Sequence, residues 1–167
     1  MHDVAPKYRS AAKELGRMLG ERGHTLVWGG SNTGLMKEVA DAVQNSSGNI
    51  IGITMEQIRE KARTNADTMI VAKDLRERQD VMRAHSDAFV LLPGGLGSLD
   101  EITEILEFKK HGKHNKPVII LNTGGFYDGL RTQLKRMHKE GFVAQPLESY
   151  LHFAETPSKA INILNGQ

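Results

Sequence analysis

The sequence predicts an α/β fold of the doubly wound, Rossmann-like type, a mostly parallel sheet with helices on both faces. Short apolar runs alternate along the chain with stripes of helical period, the pattern that builds parallel βα units. Two of these runs pass straight into glycine clusters, Gly29-Gly30 and Gly94-Gly95, where a helical stripe begins. With 167 residues, 39% hydrophobic and 25% charged, the chain has the length and composition of one globular domain, so residues 1–167 are read as a single domain.

The first helical stripe, Tyr8, Ala11, Ala12, Leu15, Met18 and Leu19, follows Pro6, whose fixed φ suits a first helical turn. Residues 25–28 form a strand ending at Gly29-Gly30. A second helix starts near Gly34, with Leu35, Val39, Ala42 and Val43 on its apolar side, and a strand follows at 49–53. Residues 54–67 show no clear period. Residues 68–71 read as a short strand, 73–86 as a helix, and 88–92 as a wholly apolar strand of the kind buried on both faces. A helix over about 99–111, a strand at 117–121, a helix over about 126–140 and a short helix after Pro157 complete the order. The alternation opens on a helix, whereas the first strand of a doubly wound sheet usually sits at its centre. The first central strand is therefore expected to be missing.

Composition excludes several classes of function. Without cysteine there are no disulfides, thiolate nucleophiles, iron–sulfur clusters or cysteine zinc sites. No apolar run approaches the ~18 residues that span a bilayer, and the opening residues lack the cationic-then-apolar order of a signal peptide. No membrane association and a cytoplasmic location are expected. A net charge of +2 and 5% aromatic residues argue against nucleic acid as a partner, including a single strand stacked on aromatic rings. His111 and His114 fall in the basic run Lys109–His114, which reads as a solvated or partner-facing patch, so no metal is expected.

The strongest local signal is Pro93-Gly94-Gly95-Leu96-Gly97-Ser98-Leu99-Asp100-Glu101, a glycine-rich turn between a buried strand and a helix. Glycines let a backbone approach an anion, and unpaired N–H groups at a helix start favour a phosphate. The same residues also fit a plain βα turn in which Ser98 and Glu101 form a capping box. The second cluster, Gly29-Gly30-Ser31-Asn32-Thr33-Gly34, has the spacing of a nucleoside-triphosphate loop. Leu35 and Met36 stand where that loop needs Lys and Ser or Thr, which disfavours a triphosphate. Neither cluster gives the dinucleotide fingerprint. Two glycine loops at strand ends are expected to line one crevice.

Arg78 falls on the helical face marked by Leu75, Met82 and His85. A charge there needs a partner. Either the side chain reaches the surface or a structural carboxylate, or it points into the crevice, where its planar fork suits a phosphate or carboxylate.

From about Pro6 onward the sequence resembles the Lonely Guy family, cytokinin-activating nucleoside 5′-monophosphate phosphoribohydrolases often labelled lysine decarboxylases. Residues 93–101 fit its P-G-G-x-G-T-x-x-E motif with Ser98 in place of Thr, and residues 29–36 look like its first glycine loop. Arg78-Gln79 with Met82 is similar to its R-K-x-x-M, and Asn122 with residues 125–129 fits a later block. The resemblance implies hydrolysis of the N-glycosidic bond of AMP or an N6-modified AMP, with no metal or organic cofactor. It implies Arg78 and Glu101 as the catalytic pair. Gly94, Gly95, Leu96, Gly97 and Ser98 would bind phosphate, with Gly30, Ser31, Glu60 and Met82 also on the substrate. It further implies a homodimer or larger homo-oligomer, and a shortened or misassigned start as the cause of the missing strand. The decarboxylase label finds no lysine in a Schiff-base setting. Departures from the family pattern are Lys37 for Gly, Gln79 for Lys, Glu107 and Phe108 for Thr and Trp, and the charged Lys109-Lys110-His111. The rival reading is a non-catalytic carrier of a nucleotide or nucleotide-like cofactor on the same fold.

Overall fold

A computed structural model describes residues 4–166, and among these six α-helices and six β-strands alternate. They fall into two compact units, one running to Ser86 and one from Asp87. Each unit carries its own three-stranded parallel sheet with strands in sequence order. Among the described residues no helix is long and apolar enough to cross a membrane.

The first unit runs α1 (Pro6–Glu21), β1 (Leu26–Trp28), α2 (Gly34–Asn45), β2 (Ile50–Met55), β3 (Thr68–Ala72) and α3 (Leu75–His85). The stretch without a period contains a 3-10 turn, Glu56–Lys61. The stripe read from α1 is its buried side, with Ala11, Ala12, Leu15, Met18 and Leu19 all buried. Its closest partner is α2. A Cβ on Gly16 would stand 2.5 Å from the Val39 carbonyl oxygen, and one on Gly20 would stand 2.7 Å from that of Val43. Glycines four apart put two bare spots on one helix face, and the backbone of α2 lies against them. Asp74 caps α3 by accepting from the Glu77 N–H, while Glu77 accepts from the Lys73 N–H, so two helix-end donors are satisfied. One expectation is corrected here. No residue of α3 is buried, and Leu75 and His85 are exposed, so the face holding Arg78 is not a core stripe.

The second unit runs β4 (Phe89–Leu91), α4 (Leu96–Lys110), β5 (Val118–Leu121), α5 (Asp128–Lys139), β6 (His152–Ala154) and α6 (Pro157–Leu164). All four residues of β5 are buried. Val118 and Ile120 meet Ile102 of α4 and Leu130 and Leu134 of α5, whereas α6 packs on β5 and β6. Three readings change. Strand β4 buries Leu91, but Phe89 and Val90 stay half-exposed because no strand other than β5 pairs with β4 among the described residues. The edge strand β6 was not anticipated. Helix α4 begins at Leu96, not near residue 99, and its first turn absorbs part of the glycine motif.

The α1–α2 contact gives a prediction in which two effects oppose. Alanine at position 16 gains roughly 1 kcal/mol of helix propensity over glycine. Its methyl, however, meets a backbone oxygen that cannot move without α2, and overpacking of that kind costs about 1–3 kcal/mol. Gly16→Ala is expected to lower the urea unfolding midpoint; a raised midpoint would show slack between the helices.

Candidate active site

In parallel α/β sheets ligands gather outside the carboxyl ends of the strands, and both glycine clusters lie at such ends. In the first unit, β1 runs into Gly29 and Gly30. Gly30 has φ +73°, a left-handed conformation that glycine adopts without a steric cost. Gly29 is demanded by a neighbour, since a Cβ there would stand 2.1 Å from Nη2 of Arg78. The guanidinium thus occupies the space of a side chain at position 29, and its Nε donates to the carbonyl of Ile53, inside β2, at 3.0 Å. The arginine is half-buried and held against Gly29 and β2, which favours the crevice-facing reading over a snorkelling one.

The loop beyond Gly30 is braced from its other side. Ser31 pairs with Ala62 in an isolated antiparallel bridge, Asn32 N–H donates to the Lys61 carbonyl, and Arg63 N–H donates to the Gly30 carbonyl. The hydroxyls of Ser31 and Thr33 lie 3.0 Å apart within hydrogen-bonding reach. Met82 is half-buried one turn beyond Arg78 on α3. Glu60 is exposed on the 3-10 turn.

In the second unit the predicted residues cluster within one and a half helical turns. Gly95 is the N-cap residue of α4, and no side chain caps the first turn. Leu96, Gly97 and Ser98 are the first three helical residues, whose N–H groups have no carbonyl within the helix to accept them. The capping box expected of Ser98 and Glu101 does not form, because Ser98 lies inside the helix rather than at its cap. Ser98 instead sits against Gly94, where a Cβ would stand 2.1 Å from its Oγ. A Cβ on Gly95 or Gly97 would meet nothing, so no protein atom demands glycine at either position. Bare backbone facing open space, uncapped amides and the positive end of a helix dipole make an anion seat. Glu101 is half-buried and lies on the same face as Gly97 and Ser98, which precede it by four and three residues. Leu96 is 85% exposed at the rim.

A residue without an assigned role holds this turn in place. The Tyr127 hydroxyl accepts from Gly94 N–H at 3.1 Å and donates to the Leu92 carbonyl at 2.9 Å, and the ring is 4% exposed. Burial pushes the phenol above its ordinary pKa despite the Gly94 N–H, keeping it a neutral donor. Tyr127 is in turn placed by Asn122, which is fully buried. Asn122 Oδ1 accepts from Tyr127 N–H, while Nδ2 donates to Asp128 and Glu155. Sequence reasoning quoted both residues in a motif block, but only the position of the hydroxyl reveals what the block does.

These features define a Rossmann-like α/β protein with an uncapped, glycine-rich helix start at a strand end. Residues 36–164 match the family model described as possible lysine decarboxylase. A relative from Mycobacterium tuberculosis, named cytokinin riboside 5′-monophosphate phosphoribohydrolase, is 38% identical over 80% of this chain and 72% of its own length. A protein from Oryza sativa subsp. japonica, named as a probable enzyme of that kind, is 41% identical over 81% of this chain. This chain spans 61% of that relative's length. The chain belongs to this family, the Lonely Guy phosphoribohydrolases. In fold it is also similar to the molybdenum cofactor binding protein of Rippkaea orientalis, at TM-score 0.76 and 23% identity over 99% of this chain and 90% of that one.

The brace on the turn can be tested directly. Tyr127→Phe leaves Gly94 N–H and the Leu92 carbonyl without their partner, a loss of about 1–3 kcal/mol in stability. Equilibrium urea denaturation should show it; an unchanged midpoint would mean that the turn holds its shape unaided.

Proposed function

We propose that the chain, its two units working as one nucleotide-binding domain, hydrolyses the N-glycosidic bond of AMP or an N6-modified AMP to the free base and ribose 5-phosphate. The observation that carries this reading is the start of α4, where an uncapped, glycine-bared first turn is followed on the same face by Glu101. The turn, Gly94 to Ser98, takes the 5′-phosphate. Gly30, Ser31, Glu60 and Met82 complete the substrate contacts.

Cleavage moves the C1′–N9 electron pair onto the base and leaves an oxocarbenium-like sugar. A carboxylate beside the ring stabilises that charge and orients or deprotonates the water whose oxygen bonds to C1′, and the departing base takes up a proton. Glu101 is assigned this role. Arg78 clamps the substrate, and its fixed seat over Gly29 means that little side-chain freedom is lost on binding. No metal or organic cofactor enters the reaction.

The acting species is assigned as a homo-oligomer. In the single chain Ile102 is the only buried residue of α4, although Leu96, Leu99, Ile105, Leu106 and Phe108 are also apolar. A cytoplasmic location is part of the proposal. The second reading, a carrier that binds a nucleotide-like cofactor without cleaving it, draws on the fold shared with the cofactor-binding protein. It gives Glu101 no part in a chemical step.

Incubation with AMP and N6-substituted AMP, assayed for released base, separates the two. Glu101→Gln keeps the size and hydrogen bonding of the side chain but not its charge, and should lower kcat by about 10²-fold or more while AMP still binds. Unchanged turnover would remove Glu101 from the chemistry, and binding without base release in the parent protein would favour the carrier. Arg78→Ala should lower kcat/KM by at least about tenfold; a value equal to the parent's would remove Arg78 from the site.

A further inference from the structure

Arg63 lies in the stretch that has no periodicity, yet it is among the few charged or polar residues that the fold buries, at 7% exposure. Its guanidinium donates to Asp41 Oδ1 at 2.5 Å, to Gln44 Oε1 from Nε at 3.1 Å and from Nη2 at 2.6 Å, and to Asn32 Oδ1 at 3.4 Å. Its own N–H donates to the Gly30 carbonyl at 2.8 Å. Asp41 and Gln44 are on α2, whereas Gly30 and Asn32 are on the loop that leads into α2. One residue therefore ties the loop to the helix it launches, through its backbone at Gly30 and through its side chain at Asn32 and on α2.

A charge is buried at a cost of several kcal/mol unless it is paired and hydrogen-bonded, and this one is fully engaged. Asp41 is shared with Lys37, one turn earlier on α2. Burial alone would raise the Asp41 pKa, but the hydrogen bonds from Lys37 and Arg63 hold the carboxyl below its ordinary value. The planar fork is what this geometry uses, because a lysine ammonium at the same place could not reach Asp41, Gln44 and Asn32 together. The Gly29–Gly34 loop contributes few buried apolar contacts of its own, since Ser31 and Thr33 are half-buried and Asn32 and Gly34 exposed.

We infer that Arg63 is a positioning residue for nucleotide binding: it acts through the loop, fixing Gly30 and Ser31 in the conformation that receives the substrate and leaving the bond-breaking groups untouched. The inference rests on the phosphoribohydrolase reading for its substrate but not for its loop-locking role.

The structure supplies an independent reporter. The sequence has one tryptophan, Trp28, at the end of β1. It is 5% exposed, and its indole N–H donates to the Ser31 carbonyl at 3.4 Å. Loosening of the loop should therefore be visible in its emission and in its quenching by acrylamide.

The test uses Arg63→Lys, with Gln44→Ala as a milder variant that removes the acceptor of two guanidinium bonds from a half-exposed position. Equilibrium binding of AMP, KM and kcat for AMP, and Trp28 quenching are measured in each. Both variants are expected to weaken AMP binding and raise KM by about tenfold for Arg63→Lys and less for Gln44→Ala. Trp28 should become more quenchable, and kcat should stay within about twofold. The double variant should show less than the sum of the two losses. Unchanged quenching, unchanged AMP affinity, or a fall in kcat at constant KM would each overturn the inference. If Arg63→Lys does not fold, Gln44→Ala decides by the same readings. If the parent binds AMP but releases no base, the hydrolase reading fails, and affinity with Trp28 quenching still decides the role of Arg63.

Discussion

A guanidinium lying where a side chain would otherwise be is the constraint on which the glycine loop of the first unit depends. A Cβ at position 29 would fall on Nη2 of Arg78, so a larger residue there would push the guanidinium from its seat. The arginine is held by a bond to a strand carbonyl, that of Ile53 in β2, and not by a helix of its own that is anchored in the core, since α3 buries no residue. A sheet strand is a rigid support, and a cation held against it gives up less freedom on meeting an anion than one on a flexible stem. The glycine and the arginine are thus one device, distributed over two elements about fifty residues apart in the chain.

The glycine turn of the second unit uses glycine for the opposite reason. Gly95 and Gly97 touch nothing, and the structure would accept a methyl group at either. What the turn needs from within is shape, and Tyr127 provides it by bridging the two backbone groups on either side of Pro93. Bracing from behind by a buried hydroxyl, with bare backbone in front, keeps the amide donors pointed outward without a ligand present. Two clusters that look alike in sequence therefore do different physical work.

Legibility from sequence follows the same division. Strands and helices with a strong period, such as α1, α2 and β5, were readable because their burial is one-sided or complete and the spacing records it. Strand β6 is three residues long with His152 exposed, too short for any period to show. The start of α4 was placed three residues late because a helix whose first turn contains glycine reads as loop until its cap is seen. The stripe that draws attention to Arg78 in the sequence is not buried in the structure, where its guanidinium instead lies against Gly29. Arg63 left no trace at all, since a buried charge at the end of a 3-10 turn has neither period nor motif. Its signal lies in partners at positions 32, 41 and 44, which only folding brings near.

The departures from the family pattern are also legible once their partners are known. Lys37, where the family commonly has glycine, pairs with Asp41, the carboxylate that Arg63 uses, so the substitution adds charge to an existing brace on the loop. Glu107 is paired by Lys110 and His111 on the exposed last turn of α4, and these three departures answer one another. Basic residues there also favour the negative end of the helix dipole. Neither group removes a hydrogen bond from Tyr127, an amide from the start of α4 or the contact between Gly29 and Arg78. Glu101 stands on the face of α4 that also carries Gly97 and Ser98, and that placement is what supports the proposed hydrolysis over binding alone.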